Sequence, residues 1–169
     1  MADFEVFPLP ETDHVTVGET APDFTRPLVT DEGWRDVPLS ELAAGGTVLL
    51  VFYPMDGGGK SIYTWTEIAE RGWGNDDLSV VGLSISTPFD HVRFVEERDL
   101  PYALYSDPQN RVADSFGVVN DLHGMAGLEE PRPAVFLLDE NLAVEYAWVA
   151  SEWPENPPYD EIEDAIGRH

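Results

Sequence analysis

The chain has 169 residues, enough for one domain with a sizeable core, and is 43% hydrophobic and 11% aromatic, which excludes a disordered chain. It carries 33 Asp and Glu against nine Lys and Arg, a formal charge of −24 at pH 7. It contains no cysteine, so disulfides, thiolate metal sites and thiol nucleophiles are excluded.

The acids are spread through both halves of the chain, so no acidic tail explains the charge. All the bases are Arg except Lys60. An acidic surface almost free of lysine is the habit of salt-loving organisms. At ~1 M salt the Debye length is about 3 Å, and the self-repulsion of such a surface is screened. No basic patch can be assembled, so nucleic acid is not an expected partner. No apolar run approaches the ~20 residues of a membrane helix. The longest is Val48–Tyr53. The start, Met1–Glu5, is acidic and lacks the basic-then-apolar layout of a signal peptide. A cytoplasmic protein with no membrane contact is expected.

In chain order, residues 1–14 read as an irregular arm and residues 15–169 as a single domain. Val15–Asp23 leads into a pair of short strands turning at Asp31-Glu32-Gly33, and Ser40-Glu41-Leu42 forms a helical turn closed by Gly45-Gly46. Thr47–Tyr53 is apolar on both faces, as a central parallel strand is. The glycine-rich loop Pro54–Lys60 then opens a helix over about Ser61–Gly72, with Ile62, Trp65, Ile68 and Ala69 on one face. Leu78–Ile85 is a second buried strand. Thr87-Pro88 supplies a capping hydroxyl and a first-turn proline for a helix over Phe89–Arg98. Tyr102–Tyr105 is a short strand, and Asn110–Phe116 a short helix stopped by Gly117. Ala134–Leu138 and Ala143–Val149 make a hairpin. After the proline-rich loop Trp153–Pro158 comes a last helix, Tyr159–Ile166. Strands alternating with helices predict an α/β sandwich with a mixed sheet.

Four segments in order, VGETAPDF (Val17–Phe24), VFYP (Val51–Pro54), SDPQNRVADSFGV (Ser106–Val118) and PAVFLLD (Pro133–Asp139), resemble the alkyl hydroperoxide reductase/thiol-specific antioxidant (AhpC/TSA, peroxiredoxin) family. The resemblance runs over about residues 15–166. It implies a thioredoxin-like fold, a three-layer α/β/α sandwich with a mixed central sheet, and a homodimer. In that family Pro-x-x-x-Thr-x-x-Cys opens the first long helix, and the cysteine thiolate attacks peroxide beside an arginine. Counted from Pro54, Gly58 takes the Thr position and Ser61 the Cys position. A serine hydroxyl is far harder to ionise than a thiol and cannot cycle through sulfenic acid, so the peroxidase chemistry is expected to be absent. A second register sets Thr64-Trp65-Thr66-Glu67 against the family's Cys-Pro-Thr-Glu and supplies no sulfur either. Pro133 stands where the family's arginine would, matching the cis-proline of thioredoxins, and Arg132 is one residue early, either turned to the Ser61 helix or exposed.

The expected site is therefore Pro54, Gly58, Ser61 and Arg132, with Gly57, Gly58, Gly59, Lys60 and Ser61 as an anion site at a helix N-terminus. The protein is expected to bind a small anion or other small-molecule ligand, in a regulatory or structural role. Two alternatives stand beside this. Ser61 replaces the reactive cysteine of an active one-Cys peroxidase, or Gly59-Lys60-Ser61 with the strand Val135–Asp139 belongs to a nucleotide-phosphate-binding enzyme. The latter pattern needs a glycine where Pro54 stands. No metal or cofactor is expected, because His14, His91 and His123 have no ligand spacing and His169 is the last residue. His91 is read as lying on a helix exterior, and Trp65 and Trp73 as packing residues.

Overall fold

The computed structural model describes residues 5–122 and 124–167; His123 and His169 lie outside them. In chain order the elements are β1 (Phe7–Pro8), β2 (Thr25–Thr30), β3 (Gly33–Pro38), α1 (Leu39–Ala43), β4 (Thr47–Phe52), α2 (Gly59–Arg71), β5 (Leu78–Ser84), α3 (Pro88–Arg98), β6 (Ala103–Ser106), α4 (Arg111–Phe116), β7 (Val119–Asn120), β8 (Glu130–Pro131), β9 (Ala134–Leu138), β10 (Val144–Val149), β11 (Glu152–Trp153) and α5 (Tyr159–Ile166).

Seven strands form one mixed sheet in the order β10-β9-β4-β5-β6-β2-β3. β4, β5 and β6 run parallel, whereas β9 is antiparallel to β4 and β2 to β6. The alternation along β4 explains its all-apolar sequence. Val48, Leu50 and Phe52 enter a cluster with Phe116 of α4 and Phe136, while Leu49, Val51 and Tyr53 enter another with Trp65, Phe94 and Ile162 of α2, α3 and α5. Each such side chain contributes about 1.5–3 kcal/mol by leaving water. Helices cover both sheet faces, giving the expected three layers, and Trp65 and Trp73 are core residues as expected. No described helix is long and apolar enough to cross a membrane.

Local chemistry sets the helix ends. Thr87 Oγ1 accepts the Asp90 amide at 3.3 Å, Pro88 opens α3, and Asp99 closes it in the left-handed region. α2 starts two residues earlier than expected, with Gly58 as its N-cap and Gly72 in the left-handed conformation at its end. Part of the expected irregular arm is paired: Phe7 lies opposite Trp153 and Pro8 opposite Glu152.

The pairing of β9 with β4 positions the site. Phe52 at the end of β4 lies opposite Ala134 at the start of β9, and Val48 opposite Leu138. Pro133 is therefore carried to the loop that follows β4, and Asp139 to the far end of the sheet.

Candidate functional site

The segment between β4 and α2 makes one tight pass. Gly57 has φ +85, a conformation that strains any residue with a Cβ. Gly58 is extended (φ −70, ψ 141), and the first amides of α2 have no acceptor within the helix. Pro54–Ser61, with Met125 and Trp153, line a cleft of about 430 Å³. Ser61 is only 3% exposed, lies in the first turn of α2, and its hydroxyl has no hydrogen-bond partner among the described residues. A Cβ on Gly58 would stand 3.6 Å from Ser61 Oγ, so the two positions that resemble the family's Thr and Cys are neighbours in space. On the other side of Ser61, Thr64 and Pro133 close a narrow recess with Glu155 and Pro157. Thr64 of the second register thus lies behind Ser61 rather than in the cleft.

Lys60 borders the cleft, but its ammonium group is engaged elsewhere. Nζ donates to Asn156 Oδ1 at 2.8 Å and stands 5.8 Å from the ring centre of Tyr63. One of its three N–H donors thus ties α2 to the proline-rich loop, and the glycine-loop amides offer further donors to the cleft.

Arg132 is neither exposed nor turned into the cleft. It is 3% exposed, its amide donates to the Val118 carbonyl at 2.7 Å, and Nη1 donates to the Ala150 carbonyl at 3.0 Å. Its Nε has no partner, and burial holds the guanidinium below its ordinary pKa. The lining beside Ser61 comes from Pro133 instead. The Arg132–Pro133 bond is trans, unlike that of the thioredoxin cis-proline it resembles, and among the described residues the cis X–Pro bond is Trp153–Pro154.

The expectation of a solvated His91 is overturned. His91 is fully buried, with Nε2 2.9 Å from the Tyr105 carbonyl oxygen and Nδ1 2.7 Å from Asp56 Oδ2. Asp56 is a lining residue of the cleft. It also accepts from the Tyr53 hydroxyl at 2.7 Å, and its amide donates to Ser86 Oγ at 2.8 Å. Burial, and then the Asp56 carboxylate, push the Tyr53 hydroxyl well above its ordinary pKa, so it stays a donor. Sequence reasoning passed over Asp56 and misplaced His91. The signal for His91 was present in the spacing 91, 94 and 95, which are the buried positions of α3. Asp56, Met125 and Trp153 carry no comparable local signal.

These contacts bear on other chemistries at Ser61. Both nitrogens of His91 are engaged, so it has no nitrogen free to act as a base toward Ser61. His14 Nδ1 is paired with Thr12 Oγ1 at 2.7 Å. Among the described residues no group of three or more His, Asp or Glu is placed to hold a metal. The nucleotide-phosphate reading fails on topology. Its accompanying strand must end beside the glycine loop, but β9 runs antiparallel to β4 and delivers Asp139 to the opposite end of the sheet.

Fold and loop together define a thioredoxin-fold protein of the peroxiredoxin type that contains no cysteine. The profile of the AhpC/TSA family matches residues 17–147, and the chain belongs to that family. It is 29% identical over 167 residues to a putative peroxiredoxin, bcp, of Coxiella burnetii, covering 91% of this chain and 98% of that protein. It is 32% identical over 144 residues to a chloroplastic peroxiredoxin Q of Sedum lineare, covering 83% and 73%. Among solved structures, peroxidoxin BcpB of Mycobacterium tuberculosis superposes with a TM-score of 0.71 at 27% identity over 91% of this chain and 96% of that one. A cysteine-to-serine mutant of Xylella fastidiosa PrxQ gives 0.76 at 20% identity, over 93% and 98%. That last likeness is one of fold alone.

Proposed function

We propose that this chain is a binding member of the AhpC/TSA family that takes a small anion or anionic small molecule in the Pro54–Ser61 cleft and does not reduce peroxides. The observation that carries this reading is Ser61: a residue 3% exposed, in the first turn of α2, whose hydroxyl has no partner among the described residues and which lines a cleft whose floor is the glycine loop. A hydroxyl and free helix amides can donate to an anion, and the N-terminus of a 13-residue helix adds about half a positive charge. The same hydroxyl cannot form the thiolate on which peroxide reduction depends. The role is one of binding, regulation or scaffolding, in a homodimer within a salt-rich cytoplasm. The homodimer follows from the family resemblance, and the setting from the charge of −24.

The reading is tested by placing a thiol at the site. In molar salt the Ser61→Cys thiol should titrate below the ~8.5 of free cysteine and alkylate rapidly at neutral pH. The wild-type chain should consume no peroxide with any dithiol reductant. An ordinary or raised thiol pKa would remove the anion site, and peroxide turnover by the wild type would remove the reading altogether.

A further inference from the structure

Beside the cleft for an anion lies a carboxylate, that of Asp56, whose side chain is 9% exposed. Asp56 lines the same cleft as Ser61, and a free negative charge there would oppose an anionic ligand. The surroundings of Asp56 show how the conflict is resolved. The Tyr105 carbonyl can only accept, so His91 Nε2, 2.9 Å away, carries a hydrogen. Nδ1 and Asp56 Oδ2, at 2.7 Å, then need a second proton between them. Whether that proton sits on the ring or on the carboxyl, the pair is neutral as a unit. If it leaves, one imidazole hydrogen must serve two acceptors. One contact is lost, and a full negative charge stands beside the cleft, little exposed to solvent.

We propose that anion binding in the Pro54–Ser61 cleft is proton-linked, with the Asp56–His91 pair admitting the anion only while it holds its shared proton. The proposal rests on the anion reading above and adds its regulation. No other charged group takes over the neutralising role. Among the described residues His91 is the one basic side chain within 4 Å of Asp56. From β4, Tyr53 contributes a neutral hydroxyl, and from the turn before α3, Ser86 another. On α3 itself Asp90 and Arg93 are exposed, and from β6 only the Tyr105 carbonyl reaches the ring. Lys60 Nζ bonds Asn156 and makes no ion pair with Asp56. The helix start is supported as a site by Ser61, a residue 3% exposed whose hydroxyl has no partner among the described residues. By linkage, the anion must also draw the proton in, so binding above the pair's titration takes up a proton from solvent.

The test uses sulfate, whose charge does not change across the working range, titrated calorimetrically into the full chain at fixed ionic strength over a series of pH values. Affinity should fall on the order of tenfold as the pair deprotonates, and binding in that range should take up a proton, seen as a heat that depends on the buffer. Asp56→Asn keeps an acceptor for Tyr53 and removes the charge. It should bind sulfate with the wild type's low-pH affinity at every pH and take up no proton. If that variant does not fold, nitrogen NMR of His91 in the wild type replaces it, and the ring titration must coincide with the loss of affinity. Sulfate affinity independent of pH in the wild type, or out of step with His91, overturns the proton link and leaves the anion site standing. No sulfate binding at any pH overturns both.

Discussion

Gly82 of β5 packs directly against the indole of Trp65 from α2. A Cβ built there would overlap Trp65 Cζ2 and stand 2.7 Å from Leu104 Cδ2 and 2.9 Å from Tyr53 Cε1. All three neighbours are buried, and the ring of Trp65 also meets Tyr53 edge-on at 5.6 Å. The packing leaves no slack. Gly82→Ala is expected to cost about 1–3 kcal/mol by overpacking, lowering the melting temperature by roughly 2–10 °C. Adding Trp65→Phe should recover part of the loss, and strictly additive losses in that double-mutant cycle would contradict the contact.

Most of the negative charge has no base to meet, because nine Lys and Arg cannot pair 33 acids. Arg71 shows how thinly the bases are spread, serving Glu67, Asp160 and Glu163 at once. Repulsion among the remaining acids is screened only when the Debye length falls from about 10 Å at 0.1 M to about 3 Å at 1 M. Between those salt concentrations we expect a stabilisation of a few kcal/mol, and a melting temperature higher by roughly 5–10 °C. An unchanged melting temperature would mean that the acids only confer solubility.

How much of this was legible in the sequence depends on whether the cause is local. The strand β4 and the start of α3 could be read directly, since six apolar residues in a row and the pair Thr87-Pro88 are themselves the signal. The cluster of Pro54, Gly58 and Ser61 was likewise legible, being one stretch of chain that cannot fall apart in space. Arg132 was not: whether an arginine beside a proline is exposed depends on the Val118 and Ala150 carbonyls, which other elements supply. The same holds for Trp153, drawn to the cleft by a loop that follows β10 and pairs with the arm.

The buried tyrosines predict a defined alkaline limit. Burial is the first cause of raised pKa values at Tyr53, Tyr102 and Tyr105, and it pushes Tyr159 up to about 12. In the unfolded chain each ionises near ~10. Below that pH both states keep the proton, and the stability associated with it is fully present. Above it the unfolded chain sheds protons that the fold retains, so stability falls as pH rises from ~10 toward the folded values. The melting temperature should therefore drop steeply between about pH 10 and about pH 12, with tyrosinate absorbance appearing together with unfolding. Tyrosinate beyond what the exposed Tyr63 can supply, appearing near pH ~10 in a chain that keeps its near-ultraviolet dichroism, would contradict the burial of these hydroxyls.

The glycine at the mouth of α2 predicts opposite effects of one side chain on stability and on binding. Gly58 is the N-cap of α2 and has no side chain to hold the helix amides, yet its backbone (φ −70, ψ 141) suits any residue. A Cβ there would meet only ordinary contacts, 3.6 Å from Ser61 Oγ and 3.9 Å from the Met55 carbonyl. Gly58→Thr should thus supply a capping hydroxyl, worth a few tenths of a kcal/mol over glycine, and restrict the unfolded chain, worth about 0.4–1 kcal/mol. A rise in melting temperature of roughly 1–4 °C follows. The same hydroxyl would occupy the amides that the anion needs, so sulfate affinity should fall as stability rises. Gly57→Thr is the control, since φ +85 strains a β-branched residue by about 1–3 kcal/mol and should lower the melting temperature. If Gly58→Thr raised stability and left sulfate affinity intact, the anion would be held by groups other than the first amides of α2.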